Sequence, residues 1–203
     1  MLTTQNLSCA HLNHPLFSNL SLELAAGELL LVEGPNGSGK SSLLRLLAGL
    51  ATPSQGTILW QGRLINENDL AYAKNLHYLG HANGLKLGLT VIENLQLLSC
   101  LAATSTNDTP TILSLLRLTQ NQHTPAKFLS AGQKRRLALA KLFLFPKKLW
   151  ILDEPFTALD KEMRALLLSQ LTTHVQNGGI SVMSSHQPIL IKNIPIKNVW
   201  LGV

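Results

Sequence analysis

Eight residues, Gly34-Pro35-Asn36-Gly37-Ser38-Gly39-Lys40-Ser41, follow a short apolar run and precede a leucine-rich one. Their pattern, G-x-x-x-x-G-K-[ST], is a loop for holding a chain of phosphates, and the strand-before, helix-after context is what such a loop requires. Glycines let successive backbone N–H groups converge on an anion without a Cβ in the way. The helix that follows aims the positive end of its dipole at the same anion. Lys40 can reach the β- and γ-phosphates, Ser41 can offer its hydroxyl to Mg²⁺, and Ser42 extends the binding stretch into the first helical turn. The bare pattern arises by chance in roughly one chain in a hundred of this length.

Three further groups could act on a bound triphosphate. Leu149 to Leu152 is an apolar run ending in Asp153-Glu154, and a buried strand ending in two carboxylates needs a use for them. Asp153 would hold Mg²⁺, directly or through water, and Glu154 would stand near the attacking water as general base or polariser. His186 follows a strand at Ile180 to Ser184 and, when neutral, can hydrogen-bond the terminal phosphate. Leu129 to Gln133, L-S-A-G-Q, opens a helix that Ser130 can cap, with Ala131, Gly132 and Gln133 in its first turn. That is a second anion-seeking helix start, far in sequence from the first.

The elements that must position these groups read as α/β. Leu16, Leu20, Leu22 and Leu24 share one parity, a period-2 pattern, and residues 1–33 read as strands. Strands follow at 28–33, 56–60, 76–79, 149–152 and 180–184, with helices at 41–50, 131–144 and 161–175. This alternation implies a mostly parallel sheet. Thr90 and Glu93 form a capping box for a helix beginning at Val91. Pro110 suits the first turn of another. A single domain over residues 1–203 is expected, with a core at about 1–84 and 131–203 and a helical insert at about 85–130.

Composition narrows the partners. Seventeen Lys and Arg against eleven Asp and Glu give a net charge of +6, which favours anionic neighbours. No run of five basic residues occurs, so no nucleic-acid partner is expected. Hydrophobic residues make up 45% and charged ones 14%, a balance that fits either a full α/β core or apolar surface covered by a partner. Cys9 and Cys100 stand alone, without a C-x-x-C, which leaves metal-cluster, redox-pair and covalent-haem readings unsupported. The N-terminal residues lack the basic and apolar regions of a signal peptide. No charge-free apolar stretch is long enough to cross a bilayer, and the cytoplasm is the expected compartment.

Taken together, these motifs resemble the ATP-binding cassette ATPases, and the match covers nearly the whole chain. The implied fold is a P-loop NTPase with a RecA-like, mostly parallel sheet, N-terminal antiparallel strands and a small helical subdomain. In that family the serine and glycine of the second motif, here Ser130 and Gly132, contact the γ-phosphate held by the opposite subunit, and Gln133 and Asp160 are expected among the nucleotide-binding residues. The resemblance thus implies ATP and Mg²⁺ as ligands and a head-to-tail homodimer with two ATP molecules at its interface. Thr157-Ala158-Leu159-Asp160 is similar to the segment that passes between the two sites.

L-S-A-G-Q-K-R-R, L-W-I-L-D-E-P-F-T-A-L-D, Y-L-G-H-A-N-G-L-K and S-S-H-Q-P narrow the resemblance to the haem-exporter ATPases of cytochrome c maturation. That implies a CcmB-like integral membrane subunit, haem-handling membrane proteins, and a peripheral place on the cytoplasmic face of the inner membrane. ATP-driven release of a haem-loaded chaperone is the implied work. The alternatives are another exporter ATPase, a soluble cassette ATPase such as an iron–sulfur assembly scaffold, or a P-loop kinase, against which L-S-A-G-Q speaks strongly. Two positions depart from the family. Ala82 stands where a glutamine normally meets Mg²⁺ and the attacking water, leaving Asn83, a water molecule, or altered coupling in its place and predicting slow turnover. An aromatic usually stacks on adenine about where His11 falls; Phe17 is the nearby alternative.

Overall fold

The computed structural model describes the chain except residues 12–13, 102–108, 186–190, 192 and 203, and describes residue 11 through its backbone only. The strands are β1 (Leu2–His11), β2 (His14–Leu24), β3 (Leu29–Glu33), β4 (Gln55–Trp60), β5 (Arg63–Leu64), β6 (Leu76–Leu79), β7 (Leu149–Leu152), β8 (Ile180–Ser184) and β9 (Ile196–Trp200). The helices are α1 (Lys40–Leu47), α2 (Leu70–Ala73), α3 (Val91–Leu101), α4 (Thr109–Leu115), α5 (Ala131–Leu144) and α6 (Lys161–Gln176). Short 3₁₀ turns lie at Thr119–Asn121 and Ala126–Phe128.

Two sheets result. One is parallel, in the order β6-β7-β8-β3-β9; the other is antiparallel, in the order β2-β1-β4-β5. Every residue of β7 and β8 is buried, as expected of inner strands covered on both faces. Strand β2 instead alternates toward its end, with Leu20 and Leu22 half-buried between exposed neighbours, the mark of a sheet with one wet face. The period-2 leucines therefore lie on the antiparallel sheet and the continuous apolar runs on the parallel one.

The chain divides into two compact units. The first comprises Met1–His81, Lys147–Pro155 and Leu171–Val203 and holds both sheets. Its core joins Leu2, Leu7 and Leu24 of the antiparallel strands to Leu30 and Val32 of β3, Leu43, Leu44, Leu46 and Leu47 of α1, and Ile151 and Val182. Burying one such leucine contributes about 1.5–3 kcal/mol, so the four on α1 seat that helix firmly. Gly49, at φ 69°, follows the helix end and stops it short of the residue 50 expected from the leucine pattern.

The second unit comprises Ala82–Pro146 and Phe156–Gln170. Its core gathers Val91, Leu95, Ile112, Leu116, Leu118, Leu137 and Met163. The Thr90–Glu93 capping box forms: Glu93 accepts from the Thr90 backbone at 2.7 Å and from its hydroxyl at 2.8 Å, while Glu93 N–H reaches Thr90 Oγ1 at 3.3 Å. Buried Asn94 organises the preceding loop. Its amide donates to the carbonyls of Lys86, Leu89 and Thr90, and its Oδ1 accepts from Lys86 N–H. No described helix is long and apolar enough to cross a membrane.

On α6, the His174 ring stacks on Trp150 of β7 at 4.0 Å between centroids and 5° between planes, with Nε2 3.2 Å from the Ile180 carbonyl. Burial holds its pKa below the ordinary 6.5, against the opposing pull of the Ile180 carbonyl. The unfolded chain therefore protonates this histidine first as pH falls, and stability is lost on acidification through the window just below 6.5. We expect the melting temperature to fall between about pH 8 and about pH 5.5 more steeply for the wild type than for His174→Phe, which keeps a ring on Trp150 but cannot titrate. Parallel melting curves for the two proteins would remove His174 as the cause.

Candidate nucleotide-binding site

Strand β3 delivers the chain to the loop at Gly34, and the loop closes on Gly39, the N-cap of α1 at φ 97°. Gly34 has φ 145°, and a Cβ there would lie 1.9 Å from the Leu201 carbonyl oxygen. Only glycine fits, because the segment leaving β9 runs against the loop: Leu201 N–H donates to Glu33 O at 2.8 Å. Lys40 is 6% exposed, and its ammonium donates to the carbonyls of Gly34 and Pro35, both at 2.8 Å. Ser38 Oγ is buried without a partner among the described residues. Such a donor waits for an acceptor, and a phosphate oxygen suits it.

The loop borders a cleft of 350 Å³. Its lining joins Asn36, Gly37, Lys40, Ser41 and Ser42 to Leu16 of β2 and to Glu154. The cradle and the carboxylate expected to meet attacking water thus share one space. Strand β7 brings the acid pair there. Asp153 is 3% exposed, with its N–H on Leu79 O at 2.7 Å. Its Oδ1 accepts the Ser184 hydroxyl proton at 2.6 Å, and the same Ser184 Oγ accepts Glu154 N–H at 2.9 Å. Glu154 sits at φ 45°, the left-handed region that residues with a Cβ seldom occupy. Sequence reasoning missed Ser184; its only signal was a small hydroxyl at the end of a buried strand that also holds Ser181. His186 lies outside the described residues, as does the side chain of His11. The Phe17 ring, at 3.3 Å, is among the atoms a Cβ on Gly39 would meet, so an aromatic does pack against the loop.

In the second unit, Ser130 caps α5 in a full capping box. Ser130 Oγ accepts Gln133 N–H at 3.2 Å, and Gln133 Oε1 accepts Ser130 N–H at 2.8 Å. Gln133 Nε2 then donates to Asn121 Oδ1 at 3.0 Å, so this side chain, expected to touch nucleotide, builds the helix start. Ser130 Oγ acts here as acceptor and keeps its own proton to donate. A Cβ on Gly132 would stand 2.8 Å from Ala158 O, so the glycine admits that backbone. Asp160 caps α6, accepting Met163 N–H at 2.8 Å. Ala82 is exposed, and Asn83 Oδ1 accepts from Arg135 Nη1 at 3.1 Å. The asparagine beside the missing glutamine thus engages the α5 helix.

A family model described as "ABC transporter" matches residues 17–157, a stretch holding the phosphate loop, the Leu129–Gln133 motif and the acid pair. The chain belongs to the ABC transporter family. Within it, the chain is 43% identical to the cytochrome c biogenesis ATP-binding export protein CcmA of Nitrosomonas europaea, covering 100% of this chain and 96% of that protein. It is 45% identical to the CcmA of Pseudomonas fluorescens with the same coverage, and 41% identical to that of Vibrio cholerae over 100% and 99%. Among solved structures, an ATP-binding subunit of an ABC transporter superposes with a TM-score of 0.82 at 25% identity, covering 92% of this chain and 79% of that one. A dimeric post-hydrolysis ATP-binding cassette with ADP and phosphate reaches a TM-score of 0.80 at 21% identity over 92% and 88%; that likeness carries the fold alone. This ABC protein is therefore the ATP-binding, ATP-hydrolysing kind of subunit, in the branch that serves cytochrome c biogenesis.

The cap that Ser130 forms can be separated from the phosphate contact expected of it. Ser130→Ala should lower unfolding stability by about 1 kcal/mol through the lost cap. Ser130→Asp should restore the cap while placing a negative charge where a phosphate would come. Stability measured by urea denaturation should recover in the aspartate variant while ATPase activity does not; recovery of both would leave capping as the only role.

Proposed function

We propose that the chain is the ATPase subunit of a cytochrome c biogenesis export complex, working as a head-to-tail homodimer. The observation that carries the reading is the shared cleft, in which Lys40, Ser41 and Glu154 face one another. The backbone amides of Gly37 to Lys40 and the start of α1 receive the β- and γ-phosphates, and Lys40 turns from its loop carbonyls toward them. Ser41 and Asp153 supply hard oxygen donors of the kind Mg²⁺ takes. When bound there, that ion neutralises phosphate charge and fixes the terminal group for in-line attack. Glu154 lies on the cleft wall to orient a water and accept its proton.

Ser130 and Gly132 of one subunit complete the site of the other, so that each ATP joins two copies and its hydrolysis parts them. The uncommitted proton of Ser130 supports this role, and Asp160 belongs to the segment passing between the sites. His186 senses the terminal phosphate, and His11 or Phe17 stacks on the base. The membrane partner is a CcmB-like integral subunit acting with haem-handling proteins, with this chain peripheral on the cytoplasmic face of the inner membrane. The relatives named as cytochrome c biogenesis ATP-binding export proteins support the export role itself.

Lys40→Ala should abolish ATP binding, whereas Glu154→Gln should bind ATP without turning it over and accumulate as a dimer. Nucleotide-binding titration and light scattering with and without ATP report the two outcomes. A Glu154→Gln protein that stays monomeric at saturating ATP would contradict the sandwich.

A further inference from the structure

Ser184 takes no part in the roles assigned above, yet it touches both members of the acid pair. It is the last residue of β8, fully buried, beside Val32 in the β3–β8 register. Leu152 pairs with Met183 across β7 and β8, which brings Ser184 alongside Asp153. The next residue anchors the strand end, with Ser185 N–H on Val32 O at 3.3 Å. The hydroxyl is thus held from β3, the strand that leads into the phosphate loop.

One oxygen makes two bonds in opposite senses. It donates its proton to Asp153 Oδ1 at 2.6 Å and accepts Glu154 N–H at 2.9 Å. The first distance is at the short end of the range for an O–H···O bond. It anchors one oxygen of the carboxyl group, Oδ1. The second bond holds the peptide N–H of a residue at φ 45°, a conformation that costs about 1–3 kcal/mol and persists only where surroundings impose it.

We propose that Ser184 is a positioning residue for ATP hydrolysis: a single hydroxyl sets the direction of the Asp153 carboxylate and holds the backbone of Glu154 in its left-handed turn. The proposal rests on the assignment of Asp153 to the cation and Glu154 to the attacking water. Ser184 itself transfers no proton to substrate.

The test compares Ser184→Thr, which keeps the hydroxyl, with Ser184→Val, which has the same shape without it, and with Ser184→Ala, which adds no bulk. Melting temperature, kcat, KM for ATP and the Mg²⁺ concentration giving half-maximal rate are measured for each. The alanine and valine variants should lose kcat by about tenfold or more, as removal of an orienting partner does, with a severalfold higher Mg²⁺ requirement. KM for ATP should change little, and threonine should recover both kcat and the Mg²⁺ requirement. A Ser184→Ala protein that melts lower but keeps wild-type kcat and Mg²⁺ dependence would reduce Ser184 to packing and overturn the proposal. Should threonine and valine both fail to fold, alanine alone decides. Glu154→Gln separates the two levels: if it hydrolyses ATP normally, the acid-pair assignment falls and this inference with it. If it is inactive while Ser184→Ala is fully active, only the Ser184 proposal falls.

Discussion

Backbone amides can grip a phosphate only if the chain carrying them cannot yield, and here that firmness comes from where β3 lies. It is flanked by β8 and β9, paired in parallel with both. Because β7 joins the same parallel sheet through β8, the carboxyl ends of β3, β7 and β8 open on one edge. In open α/β sheets that edge is where ligands bind. The phosphate loop, the acid pair and Ser184 each begin where one of these strands stops. A slip of one register at β8 would separate Ser184 from Asp153 and take the shared hydroxyl from the buried carboxylate and from the Glu154 N–H, so site geometry and ladder register are one constraint.

The second unit solves a different problem. Without a sheet of its own among the described residues, it relies on polar side chains that finish helix ends: Thr90 with Glu93, Ser130 with Gln133, and Asp160 at α6. Asn94 collects three carbonyls from the loop ahead of α3. Several residues read as ligands are therefore builders as well. Gln133 completes a capping box and holds Asn121, and Gly132 makes room for the Ala158 carbonyl. A substitution there changes the frame and the chemistry together.

Strong patterns carried the legible part of this fold. The apolar run of β7 and the capped start of α5 announce themselves, because continuous burial and cap chemistry are local properties. Strand β9 was not legible: Ile196-Lys197-Asn198-Val199-Trp200 leaves Lys197, Asn198 and Trp200 exposed, as suits the edge of a sheet, and its place is fixed by distant β3. The one-turn helix α2 depends on Asp69 accepting from Ala71 and Tyr72, too brief a signal for periodicity. The phosphate loop could be read residue by residue, since its spacing is its chemistry. The requirement that Gly34 be bare because Leu201 passes within contact could not, and neither could the bridge from Ser184, because both join segments far apart in sequence.

The Lys40 ammonium is already satisfied by the carbonyls of Gly34 and Pro35. A triphosphate that recruits it trades two bonds for others, so the net gain is smaller than the strength of a lysine–phosphate contact implies. The same two carbonyls keep the nearly buried ammonium from standing unpaired whenever the cradle is empty. The loop thus supplies the counter-dipoles for its own cation and keeps its form between one guest and the next.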